Sequence, residues 1–291
     1  MSEMPSPSAP PSIVFGSHTD VGRRRENNED SSRCGALGAG TLLVISDGVG
    51  GLKAGEVASR IAVDSLHEIL GRRLAAEAPP PDRRGWIDAA IRETDQRVRT
   101  AAEQPGQSGM GATLSLVWLE GGNAWWGQAG DSRTYLFRQN VLRQISHDQS
   151  PVGRLRAEDK LTEEQARTHP FRHMIDQCLG GGGPPMDPQT GSLELAAGDV
   201  FLLCSDGLSD GLWDREIAEE LRLAADGRAP DETARALVER ANAASGNDNI
   251  TAIVGRVNRL PAPPPPATPP APPAVGLMAR LLSRLGLGVR P

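Results

Sequence analysis

The sequence predicts an α+β fold: a four-layer α-β-β-α sandwich, two antiparallel sheets flanked by helix pairs, with a flap subdomain. Three observations predict it. Runs rich in β-branched and aromatic residues cluster at both ends of residues 13–258. Two pairs of amphipathic segments lie between them, so the order is strands, two helices, strands, two helices, strand. Neighbouring strand runs are joined by short Gly- and Asn-containing turns, which pair them antiparallel.

IVFGSHT opens the domain and TLLVIS (41–46) follows. AGEVASRIAVDSLHEIL (54–70) and WIDAAIRETDQRVRTAAE (86–103) carry apolar residues at helical spacing. In the second, Ile87, Ala90, Ile91, Thr94 and Val98 share one face. ATLSLVWLE (112–120), NAWWGQA (123–129) and RTYLFR (133–138) are strands, with turns at GGN (121–123) and RQN (138–140). Residues 147–185 form the flap, whose LTEEQARTHPFRHM opens on a capping box from Thr162 to Gln165 and whose glycine run is placed to hinge. Arg167 and Arg172 there are read either as phosphopeptide contacts or as a solvated helix face. DVFLLCS (199–205), helices over LWDREIAEELRLA and PDETARALVERANAA, and the strand NITAIVGRV (249–257) complete the domain.

Residues 1–12 are Pro/Ser-rich and predicted disordered, and 259–274 is a semi-rigid Pro-rich linker. Residues 275–291 are a short amphipathic basic tail with Val275, Met278, Leu281, Leu282 and Leu285 at helical spacing. The tail is too short to span a bilayer but long enough for peripheral membrane contact or a partner. A formal net charge of −6 argues against a nucleic-acid binder. Cys34, Cys178 and Cys204 form no CxxC or even framework and read as buried small side chains in a reducing compartment. The start has no basic or apolar signal region, so a soluble, cytoplasmic monomer is expected.

Asp47 directly follows TLLVIS, Asp206 follows FLLCS, Asp131 follows WWGQAG, and Asp248 precedes NITAIV. Acids at strand ends on one edge of a sandwich converge. Converging carboxylates repel unless a cation neutralises them, and oxygen-only ligands select hard ions such as Mg2+ or Mn2+. Gly48 and Gly207 remove side-chain bulk beside two of these acids. An Asp-Gly pair is equally an ordinary turn signal, so both readings stand at this point.

Seven blocks in order resemble the metal-dependent protein Ser/Thr phosphatases, the PPM or protein phosphatase 2C family in its bacterial form. They are TDVGRRRENNEDS, VISDGVGGLKAGEVAS, MGATLSLV, GQAGDSRTYLFR, HPFRHMIDQCLGG, GDVFLLCSDGLSD and GNDNITAIV, and they cover nearly all of 13–258. The resemblance implies hydrolysis of phosphoserine and phosphothreonine in proteins, opposing a bacterial Ser/Thr kinase in signalling. It implies two Mg2+ or Mn2+ ions bridged by an attacking hydroxide. Asp47 would bridge both ions, Asp206 and Asp248 would complete the first site, and Glu29 with the Gly48 carbonyl would hold the second. Asp131 and Asp210 match positions that hold a third, weaker ion. Asp30 would hydrogen-bond water, Arg25 would grip the substrate phosphate, and Asn249 would orient the loop carrying Asp248. Val49 stands where some members carry a histidine general acid, and His18, His147, His169 and His173 are no obvious replacement. A catalytically silent relative, a phosphatase of a sigma-factor regulator and a Ca2+-binding sandwich are the competing readings; the last leaves Arg25 unexplained.

Overall fold

The computed structural model describes residues 12–49, 54–181 and 185–260. Strands β1 (Ser12–Asp20), β2 (Asp30–Leu37) and β3 (Gly40–Val49) lead into helices α1 (Gly55–Ala76) and α2 (Arg84–Ala102). Then come β4 (Gly111–Ala112), β5 (Leu114–Glu120), β6 (Asn123–Ala129), β7 (Arg133–Arg138) and β8 (Val141–Gln144). The flap contains α3 (Pro151–Ala157), α4 (Glu163–Arg167) and β9 (Leu179–Gly180). Next are β10 (Gln189–Glu194), β11 (Val200–Cys204), α5 (Asp206–Gly211), α6 (Asp214–Ala225), α7 (Pro230–Ala244) and β12 (Ile250–Arg259).

One sheet runs β1-β12-β11-β7-β8 and the other β10-β6-β5-β3-β4-β9, with β2 beside β3. Every pairing is antiparallel. The period-2 alternation of a strand assigns its side chains to two different cores. On β3, Leu42 and Val44 face α1 and α2, while Leu43 and Ile45 face the opposing sheet. On β11, Val200, Leu202 and Cys204 face α6 and α7, while Phe201 and Leu203 meet Leu43 and Ile45 in the middle layer. Three apolar layers between four layers of structure are the predicted α-β-β-α sandwich.

Several expectations change. β2, β8 and β10 were not read as strands; each sits on an edge and pairs with one neighbour only. Ser12 belongs to β1 and not to a disordered start, and β12 carries the domain to Arg259 rather than 258. α1 runs through Gly71 to Ala76, because Leu74 still packs on the outer core. Cys204 is buried, but Cys34 and Cys178 are only half-buried. The N-terminal segment 1–11, glycine positions 50, 51, 182 and 183, the rest of the linker and the tail lie outside the described residues. Among the described residues no helix is long and apolar enough to cross a membrane.

Candidate metal centre

The arginine-rich loop between β1 and β2 is tied to the loop before β12. Arg23 N donates to Gly246 O (2.7 Å), and Asp20 Oδ1 accepts from Gly22 N and Asn242 Nδ2 (both 2.8 Å). Asn249 is the main fastener. Its Oδ1 accepts from Glu29 N (2.8 Å), and its Nδ2 donates to Val21 O and Asn27 O (both 2.9 Å). Asn249 N also donates to Asp248 Oδ1 (2.8 Å), so Asn249 ties the loop that carries Arg25 and Glu29 to the one that carries Asp248. Arg25 Nη2 donates to Asp248 Oδ2 at 2.7 Å across the same gap.

Asp47 lies on β3 directly opposite Asp30, the first residue of β2. A reciprocal pair fixes the β3 backbone there, Asp47 N donating to Thr113 Oγ1 (2.9 Å) and Thr113 N to Asp47 O (2.8 Å). Gly48 N donates to Glu29 O (3.1 Å), which also accepts from Ser59 Oγ (2.6 Å). The two Asp-Gly pairs are not turns: Gly48 is within β3 and Gly207 within α5. A Cβ at Gly48 would lie 2.3 Å from Gly55 O, and one at Gly207 would lie 2.2 Å from Asn249 O. Close backbone approach, the second of the two readings, explains both glycines.

Arg25, Glu29, Asp47, Gly48, Asp131, Asp206, Asp210 and Asp248 all line one open cavity of about 650 Å³. Asp30 sits beneath it, its Oδ2 accepting from Ser205 Oγ (2.8 Å) and Thr251 Oγ1 (2.6 Å). Desolvation pushes the Asp30 carboxyl up to about 6 despite those two hydroxyls. Desolvation, with the Asp148 charge, pushes Asp131 up to about 7. Asp47 and Asp206 are raised well above the usual carboxylate range by desolvation and then by the neighbouring acids. Glu29 is raised by desolvation, which outweighs the opposing pull of Arg25. Partial burial works against the charge of Arg25, but Asp248, Glu29 and Asp206 offset it and raise its pKa.

Five acids whose ionised forms are disfavoured around one cavity define a site that gains from a cation. Among the described residues, Asp30 Oδ1 and Asp206 Oδ1 are buried without a partner. Buried polar atoms are rarely left so. These orphaned oxygens, in an all-oxygen donor set, fit a hard divalent ion. Among the described residues no three acids are yet closed into a chelate; Asp248 Oδ2, for one, is engaged by Arg25.

Of the flap residues, Arg172 and His173 line the cavity mouth, beside exposed Phe171 and Met174. His147 contributes backbone groups, its carbonyl accepting from Gln128 and Gln189 and its N donating to Gln189 Oε1 (3.1 Å), and His169 Nδ1 accepts from Phe171 N. Sequence reasoning missed the neutral residues that fix the acids: Thr113, Ser59, Ser205 and Thr251. Of these only Ser205, directly before Asp206, stands beside an acid in sequence; Thr113, Ser59 and Thr251 carry no such local signal.

The protein phosphatase 2C family model matches residues 18–250. The serine/threonine protein phosphatase PstP of Mycobacterium tuberculosis is 37% identical over 248 residues, which are 84% of this chain and 45% of that protein. This chain thus spans less than half the length of that relative. The protein phosphatase PhpP of Streptococcus pneumoniae is 31% identical over 253 residues, 82% of this chain and 96% of that one. A crystal structure of the PstP catalytic domain in complex with two manganese ions superposes with a TM-score of 0.72 at 34% identity, covering 85% of this chain and 99% of that one. Fold, acid-lined cavity and a match over most of the described length agree, and the chain belongs to the protein phosphatase 2C family.

Proposed function

We propose that this chain hydrolyses phosphoserine and phosphothreonine in proteins with the help of Mg2+ or Mn2+. The observation that carries the reading is one cavity of about 650 Å³ whose lining combines an all-oxygen donor set, with Asp206 Oδ1 unpartnered, and the Arg25 guanidinium. Asp47 would bridge two ions, Asp206 and Asp248 would complete one site, and Glu29 with the Gly48 carbonyl the other. Asp131 and Asp210 would hold a third, weaker ion. Bound there, such ions lower the pKa of water in the cavity and screen the charge on the phosphoryl oxygens.

The chain's own groups do the rest. Arg25 presents a planar fork that suits two phosphate oxygens, and it exchanges the Asp248 carboxylate for the substrate. Asp30 has its Oδ2 pinned by two hydroxyls, so its free Oδ1 is fixed to accept a hydrogen bond from the attacking water. Asn249 ties the loop that carries Arg25 and Glu29 to the start of β12.

The test is manganese-dependent hydrolysis of a phosphothreonine peptide by the wild type and by Asp47→Asn. The variant should lose the metal-dependent rate; equal activity in both sinks the mechanism. The reading extends to a cytoplasmic monomer that opposes a Ser/Thr kinase and touches membranes only through the basic tail. Deleting 259–291 checks that last contact, since unchanged vesicle co-sedimentation rules it out.

A further inference from the structure

Arg167, at the end of α4, is neither of the things its sequence position predicted. It is not a solvated face, because its side chain is only 20% exposed. Its donors are not turned to substrate either. Nη2 donates to Ser209 O (2.6 Å) and to Leu212 O, and Nη1 donates to Asp210 O (3.0 Å). The guanidinium lies over the Trp213 ring at 4.3 Å. Nε faces Glu163 Oε1 at 3.5 Å, and that oxygen also accepts from Asp214 N (3.1 Å). A second flap arginine, Arg156, donates to Asp214 Oδ2 (2.6 Å).

These contacts converge on the C-terminal end of α5. The last carbonyls of a helix have no partners inside it, and a guanidinium fork can satisfy several together. α5 is only six residues long, too short to be stable by itself. Asp206 opens it and Asp210 lies near its far end, and both line the cavity. What grips the end of α5 therefore sets where two carboxylates of the site stand. Arg167 itself lines both that cavity and a smaller one of about 50 Å³ beside it, which shares Asp131, Asp206 and Asp210.

We propose that Arg167 is a positioning residue: by capping α5 from the flap it places Asp206 and Asp210, and so couples the seating of the flap to metal affinity. The inference rests on the metal reading above. It also makes the flap more than a substrate surface, because a flap lifted off α5 removes the cap.

The test measures Mn2+ binding to the full chain by titration calorimetry, for the wild type, Arg167→Lys and Arg167→Ala, with melting temperatures alongside. Both variants should lose about 10-fold in affinity at the weakest ion site, the size usual for residues that orient ligands. Lys should rescue little, since one ammonium cannot cap three carbonyls. In an Asp210→Asn background, which removes a carboxylate of that site, Arg167→Lys should cause a smaller further loss. A variant with a lowered melting temperature but unchanged Mn2+ affinity overturns the proposal and leaves Arg167 a fold brace. Wild-type affinity in Arg167→Lys overturns it as well. If Arg167→Ala does not fold, Arg167→Lys decides alone. A wild type that binds no Mn2+ instead refutes the metal reading, so the two failures are distinct.

Discussion

Asn249→Ala should unfasten the loop that carries Arg25 and Glu29. The side chain is 3% exposed and makes three hydrogen bonds, one accepted from Glu29 N and two donated to Val21 O and Asn27 O. Truncation leaves one donor and two acceptors without partners. Val21 and Asn27 are exposed residues, so their carbonyls can regain water; Glu29 N lies further in. With about 1–3 kcal/mol for each buried group left unsatisfied, and the two outer ones discounted, the loss comes to about 2–4 kcal/mol. For a domain of this size that lowers the melting temperature by roughly 5–15 °C. Asn249→Asp is the sharper variant. It keeps an acceptor for Glu29 N but aims a second oxygen at two carbonyls, so it should fall at least as far as Ala. Scanning calorimetry on chelator-treated protein reads the fastening alone, and repeating it with excess Mn2+ reads its effect on the site. An Asn249→Asp protein as stable as wild type would refute the reasoning, since the two donated bonds would then carry no weight.

The close approaches at the two Asp-Gly pairs predict that Gly48→Ala and Gly207→Ala each cost about 2 kcal/mol or more in urea unfolding, because the added methyl meets backbone oxygen that cannot yield. Gly85→Ala, with nothing within 4 Å of its added methyl, is the control and should be neutral or better; equal behaviour of all three rejects the packing account. The raised carboxylates predict a pH effect in the metal-free chain. Folded values of about 6 for Asp30 and about 7 for Asp131 lie above their unfolded values. Their stabilising contribution is then complete below the unfolded carboxylate range and lost as pH rises through those folded values. Chelated protein should melt lower at about pH 8 than at about pH 5, and Mn2+ should restore more at the higher pH. A flat profile with chelator contradicts the crowding of charge around Asp47.

Apart from the edge strand β1, the strands read from sequence are largely buried on both faces. β3, β5, β11 and β12 appear as continuous apolar runs because each feeds two cores at once. β2 and β10 escaped for the opposite reason. DSSRCGAL and QTGSLE lie at or beside sheet edges with many half-exposed positions, so their polar content resembles loop. The first helical run was read only to Leu70, yet a Cβ at Gly71 would meet only Leu37, at 4.0 Å, and the helix continues past it. At the site, Asp47, Asp131, Asp206 and Asp248 were legible because a carboxylate at a strand end is a local pattern, whereas Glu29, Asp30 and Asp210 came from the resemblance. The parts that hold them were not. Thr113 and Asp47 are 66 residues apart, and Asp30 and Thr251 are 221 apart. Arg167 reaches carbonyls 42 to 45 residues further on, and carbonyls carry no sequence signal at all.

The kind of support given to each acid explains why its ionised form is left uncompensated. Asp30 is held by two hydroxyls and Asp47 by the Thr113 hydroxyl and backbone. Neutral donors fix direction without cancelling charge. Two of the cations nearby are committed elsewhere: Arg133 is bidentate on Asp148, and Arg167 is bound to the carbonyls at the end of α5. Among the described residues only Arg25 reaches a site acid as an ion pair, and it does so from an exposed loop, at Asp248. A fold selected for stability alone would pair such buried acids or replace them, because unpaired burial is costly. Here rigid neutral braces keep them in place while their charge stays unanswered. That deficit favours a divalent cation, and Arg25, paired with Asp248 from an exposed loop, is placed to change partners when a phosphate arrives.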